Sequence, residues 1–122
     1  MALNNGLRCR KTFKKEERIH LDRDFQRAFK QGKRILLSFF TVIMSPNELP
    51  WSRMAVIVPK RVGKAVKRNR IRRLVREFFR LNKCKFAPSH DYIFLVHKGA
   101  ESLKGYWEVE SILKDLFKEE AR

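Results

Sequence analysis

The stretch from residue 60 to residue 80, KRVGKAVKRNRIRRLVREFFR, holds Lys60, Arg61, Lys64, Lys67, Arg68, Arg70, Arg72, Arg73, Arg76 and Arg80 against a single acid, Glu77. Side chains of that type at that density do one kind of chemistry well: they bind polyanions. Arginine outnumbers lysine from residue 68 onward, and its planar fork suits bidentate phosphate contact and stacking on exposed bases. An ordinary solvated helix face interleaves Glu with Lys, so that i,i+4 pairs relieve repulsion. Here only Glu77 could do so, which leaves several arginines uncompensated. The whole chain leans the same way, with 29 Lys plus Arg against 13 Asp plus Glu and a formal net charge of +16 over 122 residues. Repulsion on this scale weakens a compact state, so an opposing polyanion explains it better than solubility does.

Other chemistries find little support. His20, His90 and His97 are scattered, with no carboxylate or cysteine at a catalytic spacing. Cys9 and Cys84 stand far apart and lack zinc-finger spacing, which argues against a disulfide framework and a metal site and fits a reducing cytoplasm. None of the five glycines belongs to a nucleotide loop. The longest apolar run, ILLSFFTVIM from Ile35, is too short to span a bilayer, and the N-terminal MALNNGLRCRKTFKKEER lacks the apolar block of a signal peptide. Neither export nor membrane insertion is expected.

The elements that must carry the basic stretch follow from apolar spacing. Leu21, Phe25, Ala28 and Phe29 recur helically in LDRDFQRAFKQG, and Gly32 is a natural stop, so a first helix is expected near 22 to 31. SFFTVIMS alternates as a strand and ends at the turn-forming SPNELPWS. RMAVIVP reads as a second strand, antiparallel to it, and Pro59 ends it. Ile71, Leu74, Val75, Phe78 and Phe79 form one apolar stripe of a helix from about 65 to 80, with Arg72, Arg73, Arg76 and Arg80 on the opposite side. YIFLVH from Tyr92 is another strand. Gly105 opens a last helix, to about 119, carrying Val109, Ile112, Leu113, Leu116 and Phe117. The order helix, two or more strands, helix, strand, helix predicts a two-layer α/β sandwich with a small mixed sheet and about three helices. With 43% hydrophobic residues and ten Phe, residues 1–122 can bury a core as one domain, behind a basic and mobile segment 1–18.

Phe25 and Phe29, one helical turn apart, can fill a core or offer a stacking platform for unpaired bases, and spacing alone favours the core. Because two other helices already offer apolar stripes to the sheet, the first helix is also placed to border an open face with its phenylalanines.

The basic stretch resembles the protein subunit of bacterial ribonuclease P, whose hallmark is an Arg-Asn-Arg helix after a basic turn. Arg68, Asn69 and Arg70 match it here, continued by Ile71, Arg72, Arg73 and Arg76. DFQRAFKQGKR is similar to the family's first helix and DYIFLVHKGA to its last strand and turn, so the likeness covers nearly the whole chain. The resemblance implies a small cofactor protein for a catalytic RNA that removes the 5′ leader of precursor tRNA, with hydrolysis performed by the RNA and its Mg2+ rather than by this chain. It implies catalytic RNA bound through Lys60 to Arg76 and the leader bound in a cleft lined by Phe25, Phe29, Thr41, Ile43 and Ile57, with no metal or catalytic residue assigned to the protein. It also implies a left-handed βαβ crossover, against the usual right-handed rule. Three departures stand out: Pro59 replaces a usual Ser, Lys64 a common Asn, and Ile57 a small polar residue on the cleft strand. A more apolar strand weakens the case for hydrogen bonds from it to the leader, while Lys64 exchanges a helix cap for a further phosphate contact.

Three rival readings remain on the sequence. A plain structural RNA-binding module would share the basic sandwich. A DNA-binding protein would set the 65 to 80 helix in a major groove, but a strand rather than a first helix precedes it. A protein nuclease would need acid clusters or histidine pairs, and neither is found.

Overall fold

The computed structural model describes residues 11–120. Its elements run α1 (Asp22–Gln31), β1 (Lys33–Leu37), β2 (Phe40–Pro46), β3 (Arg53–Ile57), α2 (Ala65–Leu81), β4 (His90–Val96), α3 (Tyr106–Leu113) and α4 (Asp115–Glu120). The sheet order is β1-β2-β4-β3, with β1, β2 and β4 antiparallel in turn and β3 parallel to β4. The second strand of the sequence reading therefore runs opposite to β2 as expected but does not pair with it, because β4 returns through α2 and slots between them.

Alternation along the strands sorts the side chains onto two faces. One face carries Ile35, Val42, Tyr92, Phe94 and Met54 and packs against Ile71, Val75, Phe78 and Phe79 of α2, Val109 and Leu113 of α3 and Leu116 of α4. Phe86, in the turn after α2, is the hub of this core, with ring centroids 4.9 Å from Phe79, 4.8 Å from Tyr92 and 5.1 Å from Phe117. Edge and tilted ring contacts of this kind add to the area they bury. The helix stripe of the sequence reading is thus the core stripe of α2, whose arginine side is left facing out.

The other face is only partly covered. Ala28 of α1 meets Ile43 and Ile93, with Ile19, Phe25, Ala55, Ile57 and Leu95 around them. Gly32 ends α1, its N–H donating to the Ala28 carbonyl at 2.8 Å. A Cβ at Gly32 would lie 2.6 Å from the Ile43 Cγ2, so only glycine lets α1 pass so close to β2. The helices α2, α3 and α4 with the sheet form the two layers, and α1 is a partial cover on the opposite side.

Four further features depart from the sequence reading. The apolar run around residue 38 is a hairpin rather than one strand, with β1 paired to β2 across Ser38 and Phe39, and Phe39 takes a left-handed φ of 65°. The last helix is broken at Lys114 into α3 and α4. Residues 11–18 are tied down rather than loose. Lys15–Glu17 form a 3-10 turn, Glu17 pairs with Lys83 at 2.7 Å, Trp51 Nε1 donates to the Glu16 carbonyl at 2.9 Å, and Ile19 N donates to Met54 O. Cys84 is disulfide-bonded, which the sparse cysteines did not lead one to expect; Cys9 lies outside the described residues.

A buried charge cluster fixes α1 to the sheet. Asp91 is fully buried and directly opposite Arg53 in the parallel pair. Arg53 donates to it from Nε at 2.8 Å and Nη2 at 2.7 Å, and Asn47 Nδ2 donates at 2.8 Å. Arg53 Nη2 also lies 3.3 Å from Asp24 of α1, and Arg27 of α1 reaches both Asp24, at 3.2 Å, and Asp91, at 3.4 Å. Two carboxylates thus meet two guanidiniums. The hydrogen bond to Asp91 raises the Arg53 guanidinium above its ordinary value, against the opposing effect of burial. Truncating one member of such a cluster leaves an unpaired buried charge. Asp91→Ala is expected to lose about 3 to 5 kcal/mol of stability, seen as a lower urea midpoint at unchanged slope.

Candidate nucleic-acid interface

Two surfaces meet the requirements set by the sequence, and the turn after β3 joins them. The first is the part of the sheet that α1 leaves open. Strand register aligns Leu36, Thr41, Leu95 and Ile57 in one row across β1, β2, β4 and β3. The next row, Arg34, Ile43, Ile93 and Ala55, runs beneath α1 at its two central positions. The open row is apolar and accessible at its ends: Leu36 is 79% exposed, and Ile57 and Leu95 are half-buried. Phe25 is half-buried against the cluster of Ile19, Ala28, Ile43 and Ile93 that Ile57 and Leu95 also flank, and Phe29, one turn on, is exposed. A cleft bordered by two aromatic rings and floored by aliphatic side chains is a place where unstacked bases can lie.

Two of the cleft residues expected from the resemblance are not available to a ligand in that way. Ile43 is fully buried under α1 and belongs to the packing of the sheet. Thr41 is on the open row but buried, and its Oγ1 is 2.6 Å from His97 Nε2. Phe25 and Phe29 lie on α1 beside the open row, and Ile57 lies on that row. Leu36, Leu95 and His97 were missed. Alternation along YIFLVH could have set Leu95 on the face opposite Phe94, whereas the alignment of Leu36 and the contact of His97 with Thr41 depend on strand pairings that no local signal announces.

The second surface is basic. Lys60 and Arg61 lie in a 3-10 turn, Lys60–Val62, that leaves the Ile57 end of the cleft and leads to the start of α2. Lys60, Arg61, Lys64 and Lys67 are all exposed. Lys64 occupies the N-cap of α2 with no side-chain cap, so the first amides of the helix have no protein side chain satisfying them there. Such an end favours anions. Along the helix the arginines divide by what they already hold. Arg68 Nε donates to the Gly63 carbonyl at 3.0 Å, and Arg70 Nη2 donates to the Lys104 carbonyl, so both brace neighbouring loops with part of their donor set. Arg72 Nη1 donates to Asn69 Oδ1 at 2.7 Å.

Glu77, the one acid that could have neutralised this face, is taken. Arg80 grips it from Nε at 2.9 Å and Nη2 at 2.6 Å, and that hydrogen bond holds the Glu77 carboxyl below the usual carboxylate range. Arg73 and Arg76 are left exposed with no acid in an ion pair among the described residues. Burial first, and then the fields of Arg18 and Arg72, push the Arg76 guanidinium down from its ordinary value. Like charges crowded to that degree wait for an anion. An apolar cleft leading by way of a basic turn into an uncompensated arginine face suits a single nucleic-acid strand followed by a structured one.

Comparison with known proteins agrees with this geometry. Residues 13–120 match the family model described as Ribonuclease P. The ribonuclease P protein component of Syntrophus aciditrophicus is 44% identical over 76% of this chain and 78% of its own length. That of Petrotoga mobilis is 40% identical over 90% of this chain and 97% of its own. The solved structure of the ribonuclease P protein from Thermotoga maritima superposes with a TM-score of 0.76 at 34% identity, covering 84% of this chain and 96% of that one. The basic helix, the half-open sheet and the match from Phe13 to Glu120 together place this chain in the family of ribonuclease P protein components.

Proposed function

We propose that this chain, as the protein component of the ribonuclease P holoenzyme in tRNA maturation, holds the catalytic RNA on the outward face of α2 and the 5′ leader of precursor tRNA in the cleft between α1 and the sheet. The observation that carries this reading is the division of labour among the arginines. Glu77 is consumed by Arg80, so Arg72, Arg73 and Arg76, which have no acid in an ion pair among the described residues, present their charge to a phosphate-rich partner. The leader enters where Phe25 and Phe29 border the row of Leu36, Leu95 and Ile57, and runs toward Lys60, Arg61 and Lys64. With Ile57 in the floor and the Thr41 hydroxyl engaged by His97, the cleft recognises the leader by stacking and phosphate attraction rather than by reading base edges.

Hydrolysis belongs to the RNA and its Mg2+ in this reading. Among the described residues no group of three or more His, Cys, Asp or Glu is placed to hold a metal ion, and the buried carboxylates Asp24 and Asp91 are committed to Arg27 and Arg53. The chain works in the cytoplasm, where precursor tRNA is matured, and no helix among the described residues is long and apolar enough to cross a membrane.

The direct test is 5′ cleavage of precursor tRNA by the catalytic RNA at low Mg2+, with and without the protein. Cleavage should require the RNA and be stimulated by the protein; cleavage by the protein alone would sink the proposal. Substrate affinity of the holoenzyme is expected to grow with leader length, so equal affinity for substrates with and without a leader would remove the cleft from the account. Phe29→Ala should weaken leader binding by about 1 to 3 kcal/mol with little change in Tm. Phe25→Ala should weaken it and also lower stability, because that ring packs on the buried cluster of Ile19, Ala28, Ile43 and Ile93. Arg72→Ala combined with Arg73→Ala should weaken association with the catalytic RNA and flatten its salt dependence by about 0.7 to 0.9 in log-log slope for each phosphate no longer neutralised.

A further inference from the structure

The outward face of α2 does not end at the helix. Asn69, Arg72, Arg73, Arg76, Glu77 and Arg80 line one side of a surface groove of about 330 Å³, and Phe13 of the N-terminal segment lines the other. The Phe13 ring stands edge-on to Phe79 of α2, with centroids 5.7 Å apart, and the Arg18 guanidinium lies over it, 4.8 Å from the centroid. A cation held over an aromatic face keeps its charge while losing rotational freedom. Arg18 is exposed and has no acid partner in an ion pair among the described residues, and the Arg76 guanidinium is pushed down first by burial and then by the fields of Arg18 and Arg72.

The segment that carries Arg18 is fixed at several points. Arg80 Nη1 donates to the Lys11 carbonyl at 2.7 Å, Glu17 pairs with Lys83, Trp51 donates to the Glu16 carbonyl, and Arg18 bridges in parallel to Met54 at the outer edge of β3. Arg80 thereby has two tasks: it removes the charge of Glu77 from the groove and docks the start of the segment. The groove is therefore preorganised, with arginines along its α2 wall and the Arg18 cation held over the Phe13 ring that lines it opposite. We infer that this groove is a phosphate clamp for the catalytic RNA in which Arg18, outside the basic helix, faces Arg72 and Arg76 across one backbone phosphate, with Phe13 as the platform that aims it. Three guanidiniums around one site repel in the free protein, and a phosphodiester between them converts that repulsion into charge-assisted hydrogen bonds. The occupant is a phosphate of a folded RNA rather than a free anion, because the groove is open along its length and its cations are spread along a helix face.

The inference rests on the proposed function, and its test separates the two. Full-length wild-type protein, Arg18→Ala and Arg18→Lys are titrated with the catalytic RNA over a range of KCl. Arg18→Ala should bind about tenfold more weakly, and its log-log salt slope should fall by about 0.7 to 0.9, the amount set by one phosphate. Arg18→Lys should keep the slope and lose part of the affinity, since it retains the charge without the planar fork. The double variant Arg18→Ala with Arg76→Ala should lose less than the two single losses multiplied, because both arms serve one phosphate. Should Arg18→Ala lose its fold, Arg18→Gln keeps the stem over the Phe13 ring and is judged by the same slope. Wild-type affinity and slope in a folded Arg18 variant, or losses at Arg18 and Arg76 that simply multiply, would overturn the clamp. Failure of the wild-type protein to bind the RNA would overturn the function instead.

Discussion

The arrangement on the cleft side of the sheet depends on one buried carboxylate. Asp91 has no access to solvent, so it must be satisfied from within, and its partners come from three separate parts of the chain: Arg53 on the neighbouring parallel strand, Asn47 in the loop before that strand, and Arg27 on α1. Arg53 and Arg27 then bind Asp24, which closes the cluster with two charges of each sign. Apolar contacts alone would leave α1 free to rotate or slide over the sheet, since Ala28 and Phe25 are its main apolar anchors there. The ion cluster admits only one position. That position covers Ile43 and Ile93 and leaves the row from Leu36 to Ile57 open, so the cleft is a consequence of where a buried charge forces the helix to sit.

A second constraint is the economy of cations. Arg53 is committed to Asp91, Arg80 to Glu77 and the Lys11 carbonyl, Lys83 to Glu17, and Arg68 and Arg70 partly to loop carbonyls. These charges build the protein. Arg72, Arg73 and Arg76, together with the lysines from Lys60 to Lys67, have no acid in an ion pair among the described residues. The distinction is invisible in a count of charge and plain in the hydrogen bonds. It also explains how α2 can hold so much repulsion: its opposite stripe, Ile71, Val75, Phe78 and Phe79, is fully buried in an aromatic core, where dispersion and burial outweigh the surface term.

What could be read from the sequence follows the range of the interaction involved. The bounds of α1, the stripe of α2 and the strand at Tyr92 were legible because their periodicity is local and strong. The β1–β2 hairpin was hidden inside an unbroken apolar run, since its turn at Ser38 and Phe39 uses neither Gly nor Asn and relies on Phe39 accepting a positive φ. The pairing of β3 with β4 instead of β2 is a non-local choice that alternation cannot announce. Nothing in the sequence marks Asp24, Arg53 and Asp91 as partners, because a buried ion cluster assembled from positions far apart has no spacing to recognise. At the interface, charge density pointed to α2 and the resemblance to Phe25 and Phe29. Only the register showed that Ile43 lies underneath the helix and that Thr41 is already bonded to His97.

Screening by salt should act in opposite senses on the free protein and on its complex with RNA, through the same side chains. In the free chain the crowded guanidiniums around Arg76 oppose the compact state, so added salt screens them and favours folding. In the complex, phosphates replace the screening ions, and added salt competes with the RNA. Part of the free energy of association is therefore relief of repulsion already present in the folded protein, and the remainder is new contact. The Asp91 cluster and the phenylalanine core hold the helix backbones in place, so the share of that repulsion set by the spacing along α2 stays in the folded protein. It is retained until a polyanion arrives, which makes the fold's own stability and its affinity for RNA two readings of one charge distribution.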